Sequence, residues 1–498
     1  MPQPRLTGPV RSAVPAAPAD TERERRARVL LEGFAAVRAE HGVEVEHVAA
    51  ARAAAAEAVR RGPRPAPRED ARDLPLVTID PVGSRDLDQA VHIARRGDGY
   101  RVNYAIADVA AFVDIGDALD VAAHDRGETV YCPDVRAPLH PAELSEGAAS
   151  LLPGEDRPAV LWTFDLDADG VEVGTRVRRA IVRSREQLDY GTVQARSDAA
   201  GVPRGVGAGV VPRGRSEDLA VLLPEVGSRR TVLERARGGV HLARPEQEVT
   251  LGAEGWTTTF RASLPVEEHN AQISLLTGIA AARLMIDAEV GILRTMPAAR
   301  DEDLARLRRQ ALALGVEWPS GVSYGELLLG LDHSLPEVAA FLVAATRLFR
   351  GATWSAFDGA LPEETRHGAM GTSYAHVTAP LRRLVDRLGL ETCVAVDAGE
   401  EVPEAVRDAL PGTAAAMVAG ARRSNAVDRG CTDLVETVVL ADKVGHVLDA
   451  VAVTDDTVQL VDPAVVARCE GELPVGDAVR VRLVEADPTT RSVRFVVA

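Results

Sequence analysis

The chain changes texture twice along its length, and this restricts its fold more than any other feature. From Leu74 to about Val193, short β-rich runs follow one another: Leu76–Ile79, Tyr100–Ala105, Thr129–Tyr131, Ala159–Leu166 and Thr175–Val182. Turn signals such as Gly97-Asp98-Gly99 and Asp167-Ala168-Asp169-Gly170 separate them. A helical pattern takes over near Val266 and predicts helices at Glu268–Ala288, Glu302–Leu314, Leu335–Phe349, Pro380–Leu388 and Pro403–Val439. After about Leu440, Val-rich alternation returns in Val447–Val453, Thr457–Val461, Ala478–Glu485 and Val493–Val497, with Pro488-Thr489-Thr490 as a hairpin turn. Strands and helices in separate blocks predict an α+β body rather than an alternating α/β one. The closing block fits a small five-stranded barrel of the OB type, which serves either as a platform for single-stranded nucleic acid or as a structural β cap.

Ahead of these blocks, Thr21–Arg61 carries apolar residues at helical intervals (Val29, Leu30, Phe34, Val37) and predicts two helices, ended by the Gly-Pro-Arg-Pro-Ala-Pro run at 62–67. The expected division is a disordered tail at 1–20, a helical segment and Pro-rich linker at 21–73, the α+β body at 74–439 and the β-domain at 440–498. Within the body, the Gly- and Arg-rich stretch Ala195–Arg215 reads as a mobile loop. A length of 498 residues accommodates roughly two to four domains. No run is long and apolar enough to span a membrane, and Met1–Asp20 lacks the apolar segment of a secretory signal, so a cytoplasmic, monomeric protein is expected. Cys132, Cys393, Cys431 and Cys469 are scattered without CxxC spacing, which argues against a disulfide framework or structural zinc and for buried reduced thiols.

A formal net charge of −17 weighs against a nucleic-acid partner. The average hides clusters: Arg176, Arg178, Arg179, Arg183 and Arg185; Arg382 with Arg383; and Arg422, Arg423 with Arg429. Each is either a phosphate-binding patch or a solvated surface.

The segment Thr78-Ile79-Asp80-Pro81-Val82-Gly83-Ser84-Arg85-Asp86-Leu87-Asp88-Gln89 concentrates the chemistry. A strand ending at Asp80, a Pro/Gly loop and two carboxylates two residues apart allow Asp80, Asp86 and Asp88 to converge. Gathered carboxylates repel unless a cation joins them, and an all-oxygen donor set selects magnesium, or manganese, over zinc. Such a centre suits phosphodiester hydrolysis, although acidic loops also cap helices or hold structural calcium.

With these residues in view, the chain resembles the ribonuclease II/R, or RNB, family. TIDPVGSRDLDQA is similar to its metal-binding motif, and Tyr104–Ala110 to its strand ending in IADV. Arg126–Pro133 resembles its RGxxxY segment, Pro138–Ser145 its PxLPxxLS segment, and Tyr374–Arg383 its YTHFTSPIRRY block. The resemblance implies an RNB-type catalytic domain, a mixed sheet with helices around an RNA channel, and a hydrolytic 3′→5′ exoribonuclease that degrades single-stranded RNA to nucleoside 5′-monophosphates. It also implies metal at Asp80, Asp86, Asp88 and Gln89, the scissile phosphate on Arg382 with Arg383 on RNA, Tyr131 stacked on the terminal nucleotide, and Asp428 as an assisting carboxylate. Tyr131 is otherwise a half-buried strand tyrosine, Arg382 a surface arginine, and Glu267 and Glu268 favourable carboxylates at a helix N-terminus. Two departures stand out: Gln89 replaces a fourth aspartate, and Asp428 replaces a glutamate. They support the alternative of a catalytically weakened RNB-fold RNA-binding protein. The N-terminal 73 residues are too short and too helical for paired cold-shock barrels.

Overall fold

A computed structural model describes residues 22–203, 210–240, 246–252, 255–332, 335–460 and 462–498. The expected tail at 1–20 and part of the expected loop at 195–215 lie outside them. The chain opens with α1 (Glu22–Glu40) and α2 (Ala49–Arg61), then β1 (Glu69–Asp70), β2 (Val77–Asp80), β3 (Gln89–Arg96) and β4 (Gly99–Ala107). Next come α3 (Ala118–Arg126), the two-stranded pair β5 (Val130–Tyr131) and β6 (Arg136–Ala137), β7 (Asp156–Leu166), β8 (Glu172–Arg183) and β9 (Glu186–Asp189). Helices α4 (Tyr190–Ala199) and α5 (Leu219–Ala236) precede the hairpin of β10 (Glu246–Gly252) and β11 (Gly255–Arg261). After α6 (Pro265–Asp287) follow β12 (Val290–Thr295), α7 (Asp301–Ala313), α8 (Tyr324–Leu329), α9 (Pro336–Ala345), β13 (Thr353–Asp358), α10 (Leu384–Asp397) and α11 (Glu404–Leu440). Strands β14 (Val447–Ala452), β15 (Thr457–Leu460), β16 (Val465–Glu470), β17 (Ala478–Asp487) and β18 (Ser492–Val497) close into a barrel.

The α+β reading holds. A seven-stranded mixed sheet in the order β1-β8-β7-β4-β3-β2-β9 forms the centre, with β1–β8 and β2–β9 parallel and the other pairs antiparallel. Alternation along its strands sends Tyr100, Val102, Tyr104, Trp162 and Phe164 to one face, where α5 and α6 cover them through Leu222, Val226, Ile273 and Leu276. Ala105, Ala107, Leu161 and Val182 pack on the other face with Ala55 and Ala58 of α2 and Leu119 of α3. Both faces are therefore buried, and the open ends of the strands are left for function.

The stretch from Ala195 is not loop at its start, because α4 runs to Ala199, capped by the Asp189 carboxylate accepting from Thr192 N–H. The helix expected at Pro380–Leu388 begins only at Leu384, since side chains of the site hold the backbone of the preceding residues in another conformation. Strands β3 and β16, the hairpin β10–β11 and helices α3 and α5 join the expected elements.

Helix α11 ties the molecule together. Val427, Cys431, Leu434 and Val438 meet Leu30, Phe34 and Val37 of α1 and Val130 and Cys132 beside the β5–β6 pair. Higher up, the helix passes the turn before β5 at backbone distance: a Cβ on Gly420 would lie 2.9 Å from the Arg126 carbonyl, and one on Gly127 2.6 Å from that of Ala416. Gly127 also has φ +73°. All four cysteines are free and buried, and no described helix is long and apolar enough to cross a membrane.

Near its end α11 presents Glu436, 5% exposed, to Gln247 of β10 and the backbone N–H of Val466 in β16 at 2.7 and 3.2 Å. Burial pushes this carboxyl up to about 7 from 4.5. Between those values the folded chain keeps a proton that the unfolded chain loses, so stability falls as pH rises through the window. Glu436→Gln should therefore be more stable than the parent by up to about 3 kcal/mol near pH 8, with the gain fading below about pH 4, as read by urea unfolding.

Candidate active site

Three stretches remote in sequence build the site: the β2–β3 loop, the β5–β6 pair and the irregular segment 378–383 before α10. Asp88 is their junction. It is 1% exposed, its Oδ1 accepts the Leu381 backbone N–H at 2.8 Å, and its Oδ2 accepts Arg382 Nε at 2.7 Å. Burial pushes its carboxyl up to about 7, with Arg382 pulling the other way and Asp86 adding repulsion. Asp86 and Asp88 thus share one electrostatic environment, while Leu87, fully buried between them, anchors the loop in the core.

Arg382 spends only Nε on Asp88, and among the described residues its two terminal nitrogens have no protein partner. Its side chain is 35% exposed, so the planar fork can reach an incoming anion. Arg383, expected beside it on RNA, points elsewhere: Nε and Nη2 grip the two oxygens of Asp386 at 2.9 and 2.7 Å. Asp386 also accepts the Ala379 N–H, so Arg383 braces the segment, and its fork is occupied.

Tyr131 lies where these groups meet. Burial pushes its phenol up to about 12, and the charges acting on it are those of Arg382, Asp86, Asp88 and Arg136. Backbone bonds fix it against the segment: Thr129 N–H donates to the Arg382 carbonyl and Leu384 N–H to that of Gly127.

The four expected metal-binding residues do not form one cluster. Among the described residues, no three His, Cys, Asp or Glu side chains stand in metal-holding geometry. Asp80 ends β2 in register with Asp189 of β9, and its charge acts on the Tyr104 phenol. Asp86 is paired at 2.7 Å with Arg136. Gln89 opens β3, and its amide donates to the Thr378 carbonyl. Asp428 lies on α11 with its carboxyl pushed up by burial, and among the described residues it makes no hydrogen bond to Asp86, Asp88 or Arg382.

Arg136 and Glu146 are the participants the sequence reading missed. In the β5–β6 pair Arg136 stands opposite Tyr131, and it bridges Asp86 to Glu146 on the short π-turn Leu144–Ala148. The turn-forming Pro133-Asp134, two to three residues before Arg136, was the available signal. The arginine cluster on β8 has a different use from the one its density suggested: Arg178 pairs with Glu69, Arg179 with Glu391 and Arg183 with Asp156.

Residues 68–389 match the RNB domain, and residues 445–498 match the RNase II-type exonuclease C-terminal S1 domain. The chain belongs to the RNB family. Ribonuclease R of Escherichia coli (strain K12) is 31% identical to it over 336 residues, 64% of this chain and 39% of that protein. This RNB chain therefore spans about two-fifths of the length of such relatives. Mycoplasma genitalium RNase R, solved in complex with ribose methylated single-stranded RNA, superposes with a TM-score of 0.79 at 17% identity, covering 94% of this chain and 78% of that one. Yeast Ssd1, described as a pseudonuclease, superposes with a TM-score of 0.64 at 15% identity, covering 86% and 54%. At such identities the structures speak for the RNB fold alone.

Arg382→Ala would leave the buried Asp88 carboxylate without its cation. In metal-free buffer it should cost about 2–3 kcal/mol near pH 8, less than a fully buried pair because Arg382 is partly solvated. The cost should shrink as pH falls through about 7, where Asp88 takes up a proton in either chain; chemical denaturation at two pH values reads the difference.

Proposed function

We propose that this chain is a hydrolytic exoribonuclease that shortens single-stranded RNA from its 3′ end with a divalent metal ion, magnesium or manganese, and releases nucleoside 5′-monophosphates. The observation that carries this reading is the meeting of Asp86, Asp88, Arg382 and Tyr131 in one electrostatic environment. Two adjacent carboxylates, a guanidinium with its fork unspent and an aromatic ring are the groups that removal of a terminal nucleotide requires.

The donor chemistry suits a hard cation, although as placed no three of the described carboxylates converge on one point. The ligands are oxygen only, Asp86 raises the cost of ionising Asp88, and guanidinium groups already lie against both carboxylates. Asp80, Asp86 and Asp88 would hold the ion once Asp86 turns from Arg136 toward the other two, with the Gln89 amide oxygen as a neutral fourth donor. When bound, such an ion supplies an attacking water of lowered pKa and offsets charge on the leaving oxygen. Arg382 receives the phosphate on its terminal nitrogens, and Asp88 on its Nε fixes the plane of the fork. Tyr131 stacks on the last base, a contact worth about 1–3 kcal/mol that favours unpaired ends. Asp428 supplies a supporting carboxylate from α11, and Arg383 keeps the segment in shape. The protein acts as a monomer in the cytoplasm in this reading.

One observation favours a weaker enzyme or an RNA-binding pseudonuclease: Gln89 brings no charge and its amide is tied to Thr378. The discriminating assay incubates 5′-labelled single-stranded RNA with the chain, with and without magnesium, and sizes the products. Stepwise shortening from the 3′ end in magnesium alone supports the nuclease. Absence of activity that Gln89→Asp restores supports the second reading. Asp88→Asn should retain RNA binding and lose turnover by about a hundredfold or more, the scale of losing one group that stabilises developing charge; full activity in that variant overturns the assignment.

A further inference from the structure

Helix α1 ends at Glu40, well ahead of the matched residues 68–389, and yet it reaches the hairpin that carries Tyr131. Its Leu30, Phe34 and Val37 pack with Val427, Cys431 and Leu434 of α11, so closely that a Cβ on Gly33 would run into the Leu434 side chain. Glu40 adds an ion pair at 2.5 Å to Arg491 in the turn between β17 and β18. The helix is thus fixed from two sides, by α11 and by the barrel.

Arg38, in the last turn of α1, extends to the tip of the hairpin: its Nη1 meets Asp134 Oδ1 at 2.6 Å, with the two side chains 11% and 13% exposed. Asp134 follows Pro133 in the turn between β5 and β6, three residues beyond Tyr131 and two before Arg136. Strands this short are marginal by themselves, and inside the hairpin the backbone adds only the Cys132 N–H on the Val135 carbonyl at 2.9 Å to the register pairs. Outside contacts must therefore set its stance. Thr129 fastens the base to the Arg382 carbonyl, Arg136 ties the far strand to Asp86 and Glu146, and Arg38 grips the tip. The Arg38–Asp134 pair is shielded from water, so removing one partner leaves the other charge poorly solvated and the tip free to shift. Tyr131 is only partly buried, and the angle of its ring follows the hairpin.

We infer that Arg38 is a positioning residue for the 3′-terminal nucleotide: by gripping Asp134 it sets the stance of the β5–β6 hairpin and thereby presents the Tyr131 ring for stacking, a role that rests on the one proposed above for Tyr131. Helix α1 is then a working part of the nucleotide site although it lies outside the matched domain. Arginine suits the task because its charge is permanent and its planar fork fixes direction as well as distance.

End recognition can be read without turnover. Two single-stranded RNAs of equal length, one with a normal 3′-terminal nucleotide and one with an abasic 3′ end, are titrated with the full chain in EDTA and followed by fluorescence anisotropy. The parent should prefer the normal end by about tenfold, within the range of one base stacked on an aromatic ring, and Tyr131→Ala should lose that preference. Arg38→Met should lose most of it too while binding the abasic RNA as the parent does, whereas a purely structural role would weaken both RNAs alike. Arg38→Lys should retain the preference, and the exchanged pair Arg38→Asp with Asp134→Arg should restore it. Thermal unfolding checks that each chain is folded; if Arg38→Met is not, the isosteric Asp134→Asn is read in its place. A folded variant that prefers the normal end as strongly as the parent, or that weakens on both RNAs equally, overturns the inference and leaves the stacking role standing. A parent indifferent to the terminal base overturns both, and hydrolysis of labelled RNA in magnesium then decides the nuclease reading separately.

Discussion

The carboxylate of Asp88 is the contact on which the site depends. Its two oxygens, held away from water, take a backbone N–H from Leu381 and the Nε of Arg382, and so join residues 294 positions apart. Burying an ionised carboxylate is costly unless every oxygen is answered, and here the answers come from the segment that has to be positioned. The same segment is fastened on its other side by Thr129 and Leu384 to the strand that carries Tyr131. A handful of hydrogen bonds thus couples the acidic loop, the half-exposed guanidinium of Arg382 and the Tyr131 ring into one unit.

Much of this could be read from the sequence because it is written in short-range patterns. Alternation marked β4, β7 and β8, helical spacing marked α6 and α11, and the D-x5-D-x-D spacing marked the loop that leads into β3. Pairing between distant groups could not be read in the same way. The density of arginines in β8 suggested a cationic surface, but their acidic partners come from β1, β7 and α10, and only folding brings them together. The hairpin β10–β11 was missed because its Thr-rich strands bury little on their own; its Trp256 makes an edge-on contact with Phe34 at 5.6 Å, a partner more than two hundred residues earlier. Arg136 was missed because the Pro133-Asp134 turn marks a hairpin but not the carboxylates that its far strand will meet.

The C-terminal barrel has the expected five strands, and its inner side closes around Val458, Leu460, Val481, Leu483 and Phe495. Phe495 is the only aromatic between Val447 and Val497, and it is fully buried. The outer surface of the barrel therefore has no ring on which a base could stack. Through Val466 the barrel docks on Glu436 of α11, which also meets Gln247 of the hairpin packed against α1.

The arginines of β8 bear on how a polyanion meets this molecule. Arg178, Arg179 and Arg183 are each paired with an acidic neighbour, while Arg185 donates to the carbonyl of Asp73 and Arg176 stands 66% exposed at 3.9 Å from Glu69. Few condensed counterions would be displaced along that face, so long-range attraction is weak on a chain whose net charge is −17. Under the proposed function, recognition would fall to close contact beside Asp88 and Arg382, and the dependence of affinity on ionic strength should be shallow.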